Sequence, residues 1–256
     1  MKKKTGVLGL AVLLAALMAL TGVAQSAMWV GGQIGGNFVS STSVDIDVFG
    51  VNGRLNDVNF APSVIGGAAL GYDFVNAGFG AYAYPDWMKY FSVFTDFTYN
   101  RLDLRGQTWP NVPPYASGAT YYRPAGRNQV PFLGPNNRIE GYVAAWSFLL
   151  MAHYPFLPDA EVPAGRLNPY VAVGPGIVFS GLDVGNGYGS ASSVNIALVA
   201  EAGIRFMCLK NVSIDGACRY RYCQPSYDLE VLGTDHTVSI NPLHQISFLF
   251  RANYHF

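Results

Sequence analysis

Residues 244–256 alternate without interruption. Ile246, Phe248, Phe250, Ala252, Tyr254 and Phe256 share one parity, and Gln245, Ser247, Leu249, Arg251, Asn253 and His255 share the other. Successive side chains of a strand point to opposite faces, so this stretch is a ribbon with one apolar and one mostly polar side. Such a ribbon settles only where its two sides meet two different surroundings. The same alternation recurs along the chain, and any fold has to satisfy all of it at once.

Composition narrows the surroundings. Of 256 residues, 50% are apolar and only 12% are charged, about half the charged share of an ordinary soluble domain, which is roughly 25%. After the first 27 residues no unbroken apolar run reaches the roughly 18 residues of a membrane helix. Low charge, 29 glycines and 16 each of Tyr and Phe, with no long apolar run, fit a membrane-spanning antiparallel β-barrel, whose signal is spread over short alternating segments. The exception is the start of the chain. Lys2, Lys3 and Lys4 precede an apolar run over residues 7–20 and then small residues to Ala27, the order of a secretory signal peptide. Residues 1–27 are therefore expected to be a signal peptide cut between Ala24 and Met28, and residues 28–256 the barrel domain.

Charge excludes one class of partner. The whole chain carries 16 basic and 16 acidic side chains; without the three leading lysines the balance is 13 to 16. A nucleic-acid binder is usually basic in patches, so no nucleic acid is expected. Three cysteines, Cys208, Cys218 and Cys223, cannot all pair, and their spacing matches no zinc-ligand pattern. No cofactor, metal site or catalytic residue is assigned.

Eight segments read as strands: 29–39, 63–74, 90–101, 139–154, 168–180, 194–206, 212–223 and 244–256. The fold class is all-β, an eight-stranded antiparallel up-and-down barrel. Phe94 and Thr95 break the alternation of the third segment, and the facing of 168–180 is undecided. Residues 40–61, 102–138, 181–193 and 224–243 read as loops rich in Gly, Pro, Ser, Asn and Asp. Those at 75–89, 155–167 and 207–211 are shorter on the whole. Longer loops on one side and shorter turns on the other match outer-membrane topology.

Together with the leader, the runs GGAALGYDF (66–74) and PYVAVGPG (169–176) and the closing Tyr254, His255 and Phe256 carry a resemblance. Over about residues 29–256 the chain resembles the small outer-membrane β-barrel proteins, the OmpA-like, OmpX-like and OmpW-like eight-stranded group. The resemblance implies location in the bacterial outer membrane, contact with its lipid and a monomeric barrel. It implies that Phe248, Phe250, Tyr254 and Phe256 form the terminal signal read by the barrel-assembly machinery. It spans anchors, adhesins, porin-like small channels and a few lipid-modifying enzymes, so it leaves function open.

An eight-stranded barrel has an interior just wide enough for side chains. The inward charges of the last three strands are Glu201, Arg205, Asp215, Arg219, Arg221, Arg251 and His255. If the turn at 207–211 pairs Phe206 with Val212, Asp215 lies diagonal to Arg205 and Glu201 diagonal to Arg219, within reach of long side chains. Buried charges need partners, so the cluster is expected to be a structural ion-pair plug, with a gate or proton conduit as the alternative. Lipid-modifying relatives use a His with a Ser and an acid near the outer rim. Here His244 and Ser247 differ in parity, while His236 with Asp235, Ser239 or Asp228 is a looser candidate, and no enzyme is expected. Trp29, Trp87, Tyr90, Tyr154 and Tyr254 near strand ends are read as interfacial aromatics. Trp109, Tyr115, Tyr121, Tyr122, Arg123 and Arg127 make the loop at 102–138, with that at 224–243, the place for an extracellular ligand. The function expected is structural or surface-interactive. The runner-up is a narrow channel for small hydrophobic molecules, favoured by the inward Val143, Leu149 and Met151.

Overall fold

The computed structural model describes residues 28–48, 51–74, 84–103, 139–158, 160–162, 165–184, 190–231 and 234–256. The expected signal peptide and most of the loop at 102–138, with its aromatic and arginine residues, lie outside them.

Twelve strands form: β1 (Met28–Val39), β2 (Thr42–Val48), β3 (Val51–Val58), β4 (Ser63–Asp73), β5 (Phe91–Arg101), β6 (Ile139–His153), β7 (Leu167–Val184), β8 (Ser190–Leu209), β9 (Val212–Cys223), β10 (Ser226–Val231), β11 (Thr234–Ile240) and β12 (Leu243–His255). Eight of them close an antiparallel barrel in the order β1-β12-β9-β8-β7-β6-β5-β4. These are the eight segments read from the sequence. Among the described residues no helix is long and apolar enough to cross a membrane.

Closure leaves each wall strand two faces and no free edge, which is the condition for crossing lipid. The outward residues follow the parity of β12. Phe248 and Phe250 on β12, Ile34 on β1, Ile196 on β8 and Ile214 on β9 are exposed, while Gln245, Ser247, Leu249, Arg251, Asn253 and His255 are buried. Faces on β7 are now assigned: Tyr170, Ala172, Val178 and Ser180 point inward, and Val171, Val173 and Phe179 outward. The irregular pair on β5 keeps strict geometry and swaps chemistry. Phe94 enters the lumen at 4% exposure. Thr95 faces outward, where its hydroxyl donates to the Ser147 carbonyl at 2.9 Å and accepts from Trp146 Nε1 at 2.7 Å. A hydroxyl turned towards lipid needs such partners.

Two loop expectations are corrected. Within 40–61 and 224–243, read as loops, residues 42–48, 51–58, 226–231 and 234–240 are strands: β2, β3, β10 and β11 form a second, four-stranded antiparallel sheet in the order β10-β11-β2-β3. That order repeats the adjacent wall strands β9, β12, β1 and β4, so each strand of the sheet prolongs one strand of the wall. Pro225 separates β9 from β10, Pro242 separates β11 from β12 and Pro62 separates β3 from β4, with Ser40 and Ser41 between β1 and β2. Proline has no N–H to give a ladder, so pairing lapses along one line and the sheet can bend there. Backbone bonds still cross the line, from Ile240 N to Pro225 O at 3.0 Å and from Asn241 N to Ser43 O at 2.9 Å. Second, residues 181–184 and 190–193, read as loop, belong to β7 and β8.

The bend carries the sheet across the mouth. Val44, Val58, Phe60, Tyr227 and Ile240 are buried in one cluster with Val143, Ala145, Val178, Leu182 and Ala197. The first five come from the sheet and its join to the wall. The others line β6, β7 and β8, in the opposite half of the barrel. Burial pushes the Tyr227 phenol up to about 12, against the pull of the neighbouring Ser180 hydroxyl, so it packs as a neutral ring.

The outward band predicts its own test. Phe250→Arg, in the middle of the outward run of β12, is expected to cost about 2–4 kcal/mol on transfer to the lipid face. Ser190→Arg, at the outer end of β8, is expected to change stability by less than about 0.5 kcal/mol. Guanidinium unfolding in phospholipid vesicles separates the two.

Candidate functional site

Among the described residues the lumen gathers the buried charges, because β1, β5, β8, β9 and β12 turn polar residues inward, while the inward face of β6 is mostly apolar. All seven residues of the expected cluster are there. Glu201, Arg205, Asp215, Arg219, Arg221 and Arg251 are nine-tenths or more buried, and His255 is 7% exposed.

The register between β8 and β9 differs from the expected one by two residues. The hairpin turns at Lys210 and Asn211, so Leu209 faces Val212, Met207 faces Ser213, and the ladder is irregular between Met207 and Leu209. Arg205 then lies directly opposite Asp215 and Glu201 directly opposite Arg219, where diagonal pairs were expected. The expected five-residue turn overstated its length: Met207 to Leu209 still pair.

Glu201 is the hub. Its Oε2 accepts from Arg219 Nε at 2.7 Å, and its Oε1 accepts from Tyr170 Oη at 2.8 Å and from Arg251 Nη2 at 3.2 Å. Arg219 continues across the barrel to Asp96 on β5. Arg251 donates to Gln33 Oε1 through Nε at 3.1 Å and Nη2 at 3.0 Å, and pairs with Asp215 at 3.4 Å. Gln33 returns to Asp96 Oδ2 through its Nε2 at 2.9 Å. Arg205 reaches Asp215 at 3.2 Å and Asp73 at 3.5 Å. The strands β1, β4, β5, β8, β9 and β12 are thereby tied together across the lumen as well as around the wall.

Trp29 corrects the reading of an interfacial aromatic. It has the parity of Gln33 and Asn37 and is wholly buried. Its Nε1 donates to Asp73 Oδ1 at 3.2 Å, and the Arg205 guanidinium lies over its ring, 4.6 Å from the centroid. Gly71 faces the ring so closely that a Cβ there would collide with it. Trp87, Tyr154 and Tyr254 are exposed as expected, and Tyr90 stacks on Tyr154 with centroids 5.7 Å apart.

Sequence reading missed Asp96, Asp73, Gln33, Tyr170 and Trp29. The signal for the acids was electrical neutrality. The expected cluster held four arginines against two acids, and Asp96 and Asp73 already stood on inward parity. It also missed a chain of three groups. The Ser213 hydroxyl and His255 Nε2 are 3.0 Å apart, and His255 Nδ1 is 3.9 Å from Asp73 Oδ2. Ser213 has no exposed surface and its Oγ accepts from Asn253 Nδ2 at 3.0 Å. A hydroxyl enclosed in this way has no room for a carbonyl at the distance a nucleophile needs. His244 does not meet Ser247 either: it bonds Tyr220 Oη at 2.6 Å on the outer face, while Ser247 is buried. Among the described residues no three His, Cys, Asp or Glu side chains come together as a metal site, and the three cysteines are free.

A closed eight-stranded antiparallel barrel with an apolar outer band and a polar, side-chain-filled lumen has the fold of the small outer-membrane β-barrels. No family model and no curated protein matches the sequence. Among solved structures, the outer-membrane protein AlkL in lipid bilayers is similar at 15% identity over 91% of this chain and 91% of that chain, with a TM-score of 0.51. OprG from Pseudomonas aeruginosa is similar at 14% identity over 89% and 97%, with a TM-score of 0.47. Neisserial surface protein A is similar at 12% over 90% and 97%, with a TM-score of 0.43. The likeness to AlkL supports the fold.

Removing one partner from a buried pair strands the other, at a cost of about 3–5 kcal/mol. Glu201→Leu leaves the lumen with one guanidinium charge in excess and is expected to lose that much, and Glu201→Leu combined with Arg219→Met, which restores the balance of charge but leaves Asp96 with Gln33 alone, to recover part of it. The measurement is the unfolding free energy of the barrel in vesicles, with the double variant more stable than the single one.

Proposed function

We propose that this chain is a non-conducting outer-membrane barrel whose role, structural or interactive, is presented on the outer side of the membrane. One observation carries the reading: the lumen is filled at two successive levels. The arginine–carboxylate network bridges the inner level from wall to wall, and the bent sheet closes the outer mouth with a packed apolar layer. An ion crossing would have to break paired charges and then pass an apolar seal.

The ligand-bearing surface in this reading is the loop at 102–138 together with the outer sheet. The chain is a monomer in it, held by outer-membrane lipid. Phe248, Phe250 and Tyr254, exposed on one face of β12, with Phe256, serve the barrel-assembly machinery during insertion. Gating by the lumen charges is the less favoured role for Glu201, Arg205, Asp215, Arg219, Arg221, Arg251 and His255.

A second reading is favoured by a separate feature. The upper lumen is apolar, lined by Val143, Ala145, Val178, Leu182 and Leu243, beneath a sheet that bends along a line of prolines. That suits a narrow passage for small hydrophobic molecules.

Planar bilayers and cells separate the readings. Purified barrel is expected to show no steady channel, and a large stable conductance overturns the proposal. Deletion of residues 105–136 is expected to leave heat-modifiable folding and membrane insertion intact while abolishing attachment to surfaces. Faster uptake of alkane-like solutes by cells carrying the barrel, with attachment unaffected by the deletion, favours the passage.

A further inference from the structure

Arg221 stands apart from the other lumen arginines. Arg205, Arg219 and Arg251 each hold at least one carboxylate within 3.5 Å. Arg221 is 2% exposed and, among the described residues, forms no such pair. Its Nη1 donates to Gln245 Oε1 at 3.1 Å and its Nη2 to Thr98 Oγ1 at 2.9 Å, both neutral acceptors. Its Nε has no partner among the described residues. The four lumen carboxylates, Asp73, Asp96, Glu201 and Asp215, are already bonded to the other three guanidiniums.

Two further donors lie beside it on the same wall. Gln245 faces Arg221 across the β9–β12 ladder, and its Nε2 has no partner. Asn37 lies one strand further on, diagonal to Gln245, since Asn37 faces Ser247 and Val39 faces Gln245. Its Oδ1 accepts from Ser247 Oγ at 2.8 Å, which turns its own Nδ2 away without a partner. Three neighbouring strands thus each carry a buried N–H donor that has no partner among the described residues, within two register positions of one another, and one donor belongs to a cation. Buried donors are costly to leave unmade, and water would satisfy the hydrogen bonds without placing a charge against the guanidinium. Across the β8–β9 ladder Arg221 faces the buried Val199, and small buried residues follow it around the wall, Ala197 on β8 facing Gly176 on β7, which faces Ser147 on β6.

We propose that Arg221, Gln245 and Asn37 form a buried site for a small monovalent anion, a halide or a compact carboxylate, enclosed between the arginine–carboxylate network and the outer apolar seal. The anion accepts these three N–H groups and gives Arg221 a contact of opposite charge. The site stands whether or not the barrel conducts.

The full barrel is refolded in detergent at equal ionic strength in bromide, in formate or in gluconate, which is too bulky for a side-chain-filled lumen. The thermal midpoint is read for the wild-type chain, Arg221→Gln and Gln245→Glu. Bromide or formate is expected to raise the wild-type midpoint by about 5–10 °C when present at a hundred times its dissociation constant. Bromide alone identifies a halide site and formate alone a carboxylate site. Arg221→Gln is expected to remove the rise. Gln245→Glu is expected to remove it too, with a midpoint in gluconate above that of the wild type, because its carboxylate takes the place of the anion. Equal wild-type midpoints in all three salts overturn the proposal and leave water at the site. A rise that persists in Arg221→Gln overturns it as well.

Discussion

The lumen of this barrel rests on Glu201. One carboxylate receives two arginines and a tyrosine, from β9, β12 and β7, and through them reaches Asp96 on β5 and Gln33 on β1. The reason lies in the wall. An eight-stranded barrel leaves its centre too narrow for bulk water, yet its strands β1, β5, β8, β9 and β12 carry polar or charged residues on the inward parity. Charges placed there lose their hydration and are tolerated only if each finds a partner of opposite sign. Arginine suits the task because its fork reaches two acceptors at once, and here Arg219 bridges Glu201 and Asp96, and Arg251 bridges Glu201 and Asp215. Pairing across the diameter adds cross-ties to the hydrogen bonds that run around the wall.

The outer level is solved by different physics. Half of the wall, β9, β12, β1 and β4, continues past the barrel, breaks at a line containing three prolines and folds over the mouth. Its buried side chains are apolar and meet the apolar inner faces of β6, β7 and β8. Above the bilayer, water is again available and the hydrophobic effect can drive such packing. The chain therefore fills a single tube twice, by ion pairing where the wall strands carry charge and by apolar burial where the sheet folds in.

Much of this was legible because a wall strand has no choice of face. The parity of β12 named its outward and inward residues in advance, and the eight wall strands followed from the same reading. The outer sheet was missed although its strands alternate as well. Residues 42–48 read TSVDIDV and 226–231 read SYDLEV, with apolar residues at every second place. Their polar members and flanking prolines and glycines gave the composition of a loop, which outweighed the period. A strand that leaves the membrane loses the lipid that makes its outer face apolar, so its signal shrinks to one face only.

The site was legible in its members and not in its pairing. Inward parity assigned all seven charges, but a register error of two residues at one hairpin changed which of them face each other. Neutrality was the stronger guide. Four buried arginines require about as many acids within the same enclosure, and the inward-parity residues of β4 and β5 contain the two that were lacking. The balance by count does not make the balance local. Asp96 meets Arg219 and Gln33 through Oδ2 and leaves Oδ1 without a partner among the described residues, while Arg221, two residues along β9, bonds only neutral oxygens in a lumen that is neutral as a whole. Coulomb attraction falls with distance and pairing is a matter of contact. A closed barrel can therefore satisfy its total charge and still hold one cation that touches only neutral oxygens.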